Sequence, residues 1–297
     1  MNRPKTFPLK SQRFLALLAI WLILVWTSEG HAQELSKLPY VPTPQIVVDE
    51  MLKLASVNAK DFVIDLGSGD GRMIITAGRN FKASGLGVDI DARLVDLANK
   101  QAKTAGVDGH VRFVQQDMFK TDVSPATVVT LYVLPDFMEK LRPKLLSELK
   151  PGSRIVAHDY HMSGWYPDRQ ITLTVPEKVE ANGTDKAYIY LWIVPSVVAG
   201  DWRMDFTPPG SVPPPTALSF NQQYQMLSGS AASKGGLLKI DNPILNGSDI
   251  EFFVTLGPNY YRFTGKIDGD KMEGTAATST GGKPLPWRAS KVTQQKN

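Results

Sequence analysis

The chain has 297 residues, of which 42% are hydrophobic and 21% are charged, and it contains no cysteine. This length suits one large domain or two, and the apolar share is ordinary for a protein with a buried core. Without cysteine, disulfide bonds, thiolate metal sites and a cysteine nucleophile are excluded. Residues 1–32 carry three of the four net positive charges, so the rest is near neutral and its composition gives no argument for nucleic-acid binding.

The N-terminus has the three parts of a secretory signal peptide. Basic residues precede an uncharged run at Phe14–Trp26, and small residues follow at Gly30 and Ala32. We predict a signal peptide over 1–32, cleaved after Ala32. The apolar run is shorter than the roughly 20 residues of a membrane-spanning helix, so an uncleaved membrane anchor through residues 14–26 is the alternative. Either way, the rest of the chain is expected to be exported, to the periplasm or the medium.

A strand, a glycine-rich turn and a helix follow one another early in the chain. Phe62–Leu66 is typical of a buried strand, Gly67–Gly71 holds three glycines, and Arg72–Arg79 begins a helix. Such a turn allows a nucleotide-like ligand to approach the backbone closely. The third glycine, Gly71, comes one position too early for a dinucleotide fingerprint, and Arg72 stands where that motif needs glycine. This disfavours a nicotinamide enzyme, and no P-loop motif is present.

The surrounding pattern predicts a doubly wound α/β sheet. A helix at Ile46–Leu54 precedes the first strand, and Ile171–Val175 and Tyr188–Val194 are expected to close the sheet as strands joined by a turn at Asn182-Gly183. Between them, the predicted strands and helices alternate as Leu86–Ile90 (strand), Ala92–Ala105 (helix), His110–Val114 (strand), Ala126–Val133 (strand), Phe137–Leu149 (helix) and Ser153–His158 (strand). We assign this domain to residues 33–195, with its ligand at the carboxyl ends of the strands.

Three aspartates stand at or after the ends of predicted strands, and two of them, Asp89 and Asp117, are candidates for ligand binding. Asp89 lies at the end of the second strand, where a carboxylate can accept hydrogen bonds from ribose hydroxyls. Asp91 is better placed to cap the next helix. Asp117 follows the third strand and either reaches an adenine amino group or is simply a loop carboxylate.

The segment His158–Trp165 follows the fifth strand. We interpret it as a substrate-facing loop with Tyr160 and Trp165 as apolar walls. His158 and His161 flank an aspartate, but no third ligand stands at metal-site spacing, so no metal is predicted.

The remainder of the chain changes character. Proline clusters predict a linker over 196–216. Residues 217–297 show repeated apolar/polar alternation, as at Ile250–Leu256, with hairpin signals such as Asp268-Gly269. We expect a small antiparallel all-β domain, either a curled sheet or a small barrel. It holds no catalytic constellation, and it either buries an edge of the first domain or binds a substrate or partner.

Several motifs carry a resemblance to a known family. Asp65–Gly71 resembles the first motif of class I S-adenosylmethionine (SAM) methyltransferases. Over about residues 38–167, the chain resembles the small methyltransferase family that contains the mitochondrial lysine methyltransferases of the ATP synthase c-subunit and the adenine nucleotide translocase. The shared segments are Val41–Pro44, Val47–Leu52, Asp65–Arg72, Leu131–Pro135 and Lys144–Val156.

The resemblance implies a Rossmann-like, seven-stranded SAM methyltransferase fold and methyl transfer to a protein lysine. It implies that Asp89 holds the ribose of SAM and that Asp117 lies near the adenine, with Tyr40 and Thr43 in the lead-in over the cofactor. The residues implied to hold the methionine part are Asp65, Gly67, Gly69 and Gly71, and Ser68 lies within the same cofactor-binding turn.

A lysine acceptor must be neutral to react, so desolvation or a nearby base has to lower its pKa from about 10.4. Tyr132, at the end of the fourth strand, and His158 and His161 are the candidates to line that acceptor site. Two other functions stay open from the residues alone: an exported binding module that retains the fold without catalysis, and a small-molecule methyltransferase.

Overall fold

The structure, a computed structural model, describes residues 40–209 and 213–292. The predicted signal peptide and its alternative, the membrane anchor, lie outside these ranges. Within the described residues, no helix has the length and apolar character needed to cross a membrane.

The first unit is a seven-stranded sheet with helices on its faces. Its strands lie in the order β3-β2-β1-β4-β5-β7-β6, and β7 runs antiparallel to both of its neighbours. The elements are α1 (Gln45–Leu54), β1 (Phe62–Leu66), α2 (Arg72–Phe81), β2 (Ser84–Asp89), α3 (Ala92–Thr104), β3 (Val111–Gln115), β4 (Val128–Leu131), α4 (Pro135–Glu148), β5 (Arg154–His158), β6 (Arg169–Thr174), α5 (Lys178–Asn182) and β7 (Lys186–Ile193). The predicted α/β fold is confirmed, and the order of the strands places the ends of β1, β2 and β4 side by side.

A buried polar cluster ties the non-ligand end of this sheet together. The carboxylate of Asp61, just before β1, accepts hydrogen bonds from the backbone N–H of Asn58 at 2.8 Å and from Thr127 Oγ1 at 2.7 Å. It also pairs with the Arg154 guanidinium, which donates to the carbonyl oxygen of Ala55 at 2.7 Å. The cluster therefore joins the end of α1 to β1, β4 and β5.

Two local predictions have different outcomes. Asp91 caps α3 as expected, because its Oδ1 accepts a hydrogen bond from the Arg93 backbone N–H at 2.9 Å. The predicted simple turn at Asn182-Gly183 is wrong. Helix α5 stands between β6 and β7, and Gly183 ends it with a positive φ of 70°.

The second unit is a closed eight-stranded antiparallel barrel. Its strands are β8 (Gly200–Phe206), β9 (Pro215–Gln223), β10 (Met226–Ser233), β11 (Gly236–Asn246), β12 (Asp249–Leu256), β13 (Asn259–Asp268), β14 (Lys271–Thr278) and β15 (Leu285–Lys291). The predicted linker over 196–216 is therefore too long. Its first half supplies β8, because Trp202, Met204 and Phe206 alternate into the barrel core.

The barrel is filled by side chains. The Trp287 indole is buried and donates from Nε1 to the carbonyl oxygen of Thr264 at 3.1 Å. A Cβ added at Gly265 would lie 2.7 Å from that indole, so the close approach requires glycine there. Strand β10 pairs with β9 and β11 to close the barrel, and sequence reasoning missed it because its small residues show no alternation.

The β9–β10 hairpin docks on the segment that follows β5. The Tyr224 ring stacks on Trp165 with centroids 5.1 Å apart. Gln225 accepts from Trp165 Nε1 at 2.9 Å and donates to the carbonyl oxygen of Tyr166 at 2.7 Å. Trp192 Nε1 donates to the Trp165 carbonyl at 2.9 Å from the other side. The barrel therefore holds the loop between β5 and β6 in place.

We expect Gln225→Ala to loosen this loop, because two hydrogen bonds to it are lost at once. Limited proteolysis should cut within residues 160–168 several-fold faster than in the parent protein. Gln223→Ala, at an exposed position on the same hairpin, is the matched control and should leave the rate unchanged. Equal cleavage rates in the two variants would contradict the docking role of Gln225.

Candidate active site

A pocket of about 360 Å³ opens at the carboxyl ends of β1, β2 and β4. The glycine turn forms its floor, and residues 40–43 of the lead-in cover part of it. Its polar lining residues are Tyr40, Thr43, Asp65, Ser68, Asp70, Arg72, Asp89, Asp91, Arg93, Gln116, Tyr132 and Tyr160. This is the position where α/β sheets of this topology hold their ligands.

The glycine turn uses its own amides within the protein. Gly67 and Ser68 both donate their backbone N–H to the carbonyl oxygen of Val88 at 2.9 Å, and Gly71 donates to the Ser68 carbonyl at 2.9 Å. Gly69 donates to Asp89 Oδ2 at 2.8 Å. The turn is therefore not a nest of free amides for phosphate, in contrast to the amide site that the sequence pattern suggests.

Close approach explains the glycines. Gly69 has a φ of 53°, and a Cβ there would lie 2.5 Å from Tyr40 Cε2. Gly71 has a φ of 82°, and its Cβ would lie 2.7 Å from the Phe113 ring. Both positions therefore need glycine for conformation and for space. The Tyr40 ring lies directly over the turn.

A charged pair anchors the lead-in over the pocket. Arg72 Nη2 lies 2.7 Å from Asp70 Oδ2, and Arg72 Nη1 donates to the carbonyl oxygen of Thr43 at 2.7 Å. Burial opposes ionisation of Asp70, but the bonds from Arg72 hold its pKa below the ordinary value. Burial and the nearby Asp70 carboxylate raise the pKa of Tyr40 to about 12. Tyr40 is therefore a neutral phenol at physiological pH.

Asp65 is the most perturbed acid of the pocket. It is buried at the end of β1, and Thr130 Oγ1 donates to its Oδ1 at 2.6 Å. Burial raises the pKa of Asp65 to about 7, the Thr130 bond opposes this, and the carboxylates of Asp89 and Asp70 add to the rise. A cation in this pocket would favour the ionised form.

The two acids assigned to ribose and adenine are placed differently. Asp89 ends β2 and lines the pocket, and its Oδ1 accepts from the Asp91 backbone N–H at 2.9 Å. Asp117 is not in the pocket lining. Its Oδ1 accepts from the Phe119 backbone N–H at 2.9 Å and caps a short 3-10 turn. Its neighbours Gln116 and Met118 line the pocket instead.

Of the three acceptor-site candidates, Tyr132 alone lines the pocket. It directly follows β4, and its ring is nearly parallel to that of Tyr160, with centroids 6.2 Å apart. His158 is 1% exposed and lies behind Tyr132, with ring centroids 4.1 Å apart. His161 is exposed and contacts the Tyr190 ring, with centroids 5.8 Å apart. The structure thus does not bring the two histidines into the pocket wall.

Sequence reasoning missed Lys178, which the structure buries beside His158. Its Nζ donates to Asp159 Oδ2 at 2.5 Å and to the carbonyl oxygen of Lys186 at 2.7 Å. No signal in the sequence could have found it, because a lysine in a short polar helix normally faces solvent.

The lining fits SAM. SAM carries a permanent sulfonium and an ammonium, and four aspartates (Asp65, Asp70, Asp89 and Asp91) line the pocket against two arginines. Ser68 also lines it, and its buried Oγ has no hydrogen-bond partner within residues 40–209 and 213–292, so it is available to a ligand. In those ranges no three His, Asp or Glu side chains converge as a metal site.

We expect SAM affinity to rise about tenfold between pH 6 and pH 8, because Asp65 goes from mostly protonated to mostly ionised across its folded pKa. The stability of the free protein has the opposite pH dependence. The folded state holds the Asp65 proton more tightly than the unfolded state, so stability falls as pH rises from about 4 to about 7. Calorimetric titration in two buffers of different ionisation enthalpy would detect proton release near pH 6.5. If SAM affinity rises with pH as steeply in Asp65→Asn as in the parent protein, this assignment is wrong.

The chain is similar to known methyltransferases. A family model described as the ANTKMT methyltransferase domain matches residues 65–169. A protein-lysine N-methyltransferase of Saccharolobus islandicus is 42% identical over 158 residues, which cover 53% of this chain and 94% of that protein. The lysine N-methyltransferase of the ATP synthase c-subunit from Xenopus laevis is 34% identical over 132 residues, which cover 44% of this chain and 57% of that protein.

The crystal structure of an RNA methyltransferase from Salinibacter ruber in complex with S-adenosyl-L-homocysteine is 47% identical. The alignment covers 53% of this chain and 96% of that chain, with a TM-score of 0.48. The family assignment rests on the Saccharolobus islandicus relative, which aligns over nearly its whole length, and on the pocket described above. The chain therefore belongs to the family of that protein-lysine N-methyltransferase and is a SAM-dependent methyltransferase.

Proposed function

We propose that this enzyme transfers the methyl group of SAM to a lysine side chain of a protein. The observation that carries the proposal is the pair of Tyr132 and Tyr160, whose parallel rings form one wall of the cofactor pocket. Aromatic faces attract methylated ammonium groups, which are the products of lysine methylation. The names of the relatives, which describe lysine methyltransferases, support the same acceptor.

The aromatic wall also suits the chemistry. The acceptor amine must lose its proton before it can react, and an apolar surface that excludes water lowers the pKa of an ammonium. Bound SAM supplies an electrophilic methyl group on its sulfonium. The residues of the pocket have to align the amine with that methyl group and keep water out, and no covalent intermediate on the enzyme is required.

The test uses the full chain with SAM tritiated on its methyl group. The acceptors are a library of lysine-containing peptides, the same library with each lysine replaced by arginine, and total RNA. We expect tritium in the lysine library alone, recovered as methyllysine after acid hydrolysis. Asp96→Asn, on the exposed face of α3, should match the parent protein, and Tyr132→Leu should lose most of the activity.

Each other outcome overturns the proposal in its own way. Label in RNA would identify a nucleic-acid acceptor, and label found solely in small metabolites would identify a small-molecule methyltransferase. Binding of SAM without labelling of any acceptor would favour an exported binding module.

We further propose that the enzyme is exported, because residues 1–32 have the composition of a signal peptide. Expression of the full chain followed by cell fractionation and N-terminal sequencing tests this. Export with cleavage predicts a mature N-terminus at Gln33 outside the cytoplasm, and export with an uncleaved anchor predicts an intact N-terminus in the membrane fraction. An intact chain in the cytoplasm would contradict both.

A further inference from the structure

A buried hydrogen-bonded chain runs from α5 to the wall of the cofactor pocket. Lys178 Nζ lies 3.3 Å from His158 Nε2, and His158 Nδ1 lies 3.4 Å from Thr43 Oγ1. Lys178 and His158 are 2% and 1% exposed. Thr43 lines the pocket, whereas His158, Asp159 and Lys178 lie behind the wall. We call Thr43, His158, Asp159 and Lys178 the Thr43 relay.

The polarity of the Thr43 relay follows from Lys178. An ammonium has three protons and no acceptor, and Lys178 faces three acceptors: Asp159 Oδ2 at 2.5 Å, the Lys186 carbonyl at 2.7 Å and His158 Nε2. Asp159 Oδ1 also lies 3.4 Å from His158 Nε2, but this oxygen already accepts the Tyr188 backbone N–H, so Nε2 accepts from Lys178. In a neutral imidazole the other nitrogen then carries the proton, so Nδ1 donates to Thr43 Oγ1. The hydroxyl hydrogen of Thr43 is left to be donated elsewhere.

The imidazole is held neutral. Burial lowers the pKa of His158 to about 4, Asp159 opposes this, and Lys178 adds to it. The Tyr132 ring covers one face of the imidazole, and no further charged group contacts it within residues 40–209 and 213–292. His158 thus acts as a fixed donor toward Thr43 rather than as a base for the acceptor amine.

The backbone at Asp159 shows that the arrangement is held against strain. Asp159 has a φ of 61°, a left-handed conformation that is unfavourable for a residue with a side chain. Its Oδ1 accepts from the Tyr188 backbone N–H at 3.1 Å while its Oδ2 holds Lys178. Strained residues that several contacts fix in place are concentrated at functional sites.

SAM brings a group that can use such a donor. It has one anionic group, its carboxylate, and the four pocket aspartates repel it. Both arginines of the pocket are already engaged, Arg72 by both oxygens of Asp70 and by the Thr43 carbonyl, and Arg93 by Asp91. We propose that Lys178 is a positioning residue which, through His158, holds the Thr43 hydroxyl as a hydrogen-bond donor to the carboxylate of SAM.

The test compares SAM with decarboxylated SAM, which lacks only that carboxylate. We expect Thr43→Val and Lys178→Met each to weaken SAM binding about tenfold and to leave decarboxylated SAM unaffected. Thr43→Ser, which keeps the hydroxyl, should bind SAM as the parent does. Because Lys178 acts through Thr43, the double variant should lose no more than Thr43→Val alone.

Two further variants keep the test decisive. Lys178→Met leaves the Asp159 carboxylate without its cation, and the protein then fails to fold if this cost is too large. In that case the double variant Lys178→Met with Asp159→Asn removes both charges together and keeps the Oδ1 acceptor. Lys186→Met is the matched control, because its backbone carbonyl still holds Lys178, and it should behave as the parent. The proposal is wrong if the variants weaken both ligands equally, if SAM affinity does not change, or if the losses in the double variant add. All readouts are binding constants, so they do not depend on the identity of the acceptor.

Discussion

Asp89→Ala is expected to weaken SAM binding by on the order of 100-fold. The substitution would remove two functions of the carboxylate at once. We predict that its oxygens accept hydrogen bonds from the ribose hydroxyls, and charge-assisted hydrogen bonds of this kind contribute about 1.5–3 kcal/mol each. The same carboxylate accepts the backbone N–H of Gly69 at 2.8 Å and of Asp91 at 2.9 Å. Loss of the carboxylate therefore also removes two hydrogen bonds that hold the backbone of the pocket in place. Calorimetric titration with SAM measures the effect.

Two companion variants separate these roles. Asp89→Asn keeps one acceptor oxygen and the shape of the side chain, so an intermediate loss is expected. Asp96→Ala removes a carboxylate from the exposed face of α3 and should leave binding unchanged. If Asp89→Ala folds normally by circular dichroism and binds SAM within threefold of the parent protein, the ribose assignment is wrong.

Arg154→Met is expected to destabilise the sheet domain by about 3–5 kcal/mol, because it leaves the Asp61 charge buried without its cationic partner. The remaining donors to that carboxylate, from Asn58 and Thr127, are neutral. The bond from Arg154 to the Ala55 carbonyl is also lost. Denaturant unfolding followed by intrinsic fluorescence would show a lower midpoint for the sheet domain.

The control for this prediction is an exposed ion pair on α1. Lys53→Met breaks the pair with Glu50, whose Nζ–Oε1 distance of 2.7 Å is as short as that of a buried pair. Solvent screens that pair, so the midpoint should stay where it is. The double variant Arg154→Met with Asp61→Leu should recover much of the lost stability, since no uncompensated charge is left. A single Arg154→Met variant with parent-like stability would contradict the role of the Asp61 cluster.

The sheet domain was predictable because its sequence signals are local. Apolar runs such as Phe62–Leu66 mark central strands, and Asp91 marks the start of α3. Asp89 could be named from its distance to the glycine turn, and Asp65 from its place in the motif that resembles the first motif of SAM methyltransferases. Both line the pocket in the structure.

The rest depended on contacts between distant parts of the chain. The position of His158 at the end of β5 predicts a pocket residue, but the lead-in at Thr43 and the ring of Tyr132 lie between it and the cavity. Lys178 gave no signal, since its burial arises from Asp159 and the backbone of β7. Closure of the barrel was hidden for a similar reason, because β10 has few large side chains and is defined by its pairing.

The barrel hairpin that grips Trp165 has a consequence for modularity. The Saccharolobus islandicus relative aligns over 94% of its length with 53% of this chain, so nearly half of this chain has no counterpart in it. In the present chain, Trp165 contacts both units, and the loop that carries Tyr160 packs against Tyr224 and Gln225 of the barrel. Cutting the chain after Pro195 would therefore remove contacts that hold a loop of the cofactor pocket, so the sheet unit of this chain is not expected to behave as an independent module.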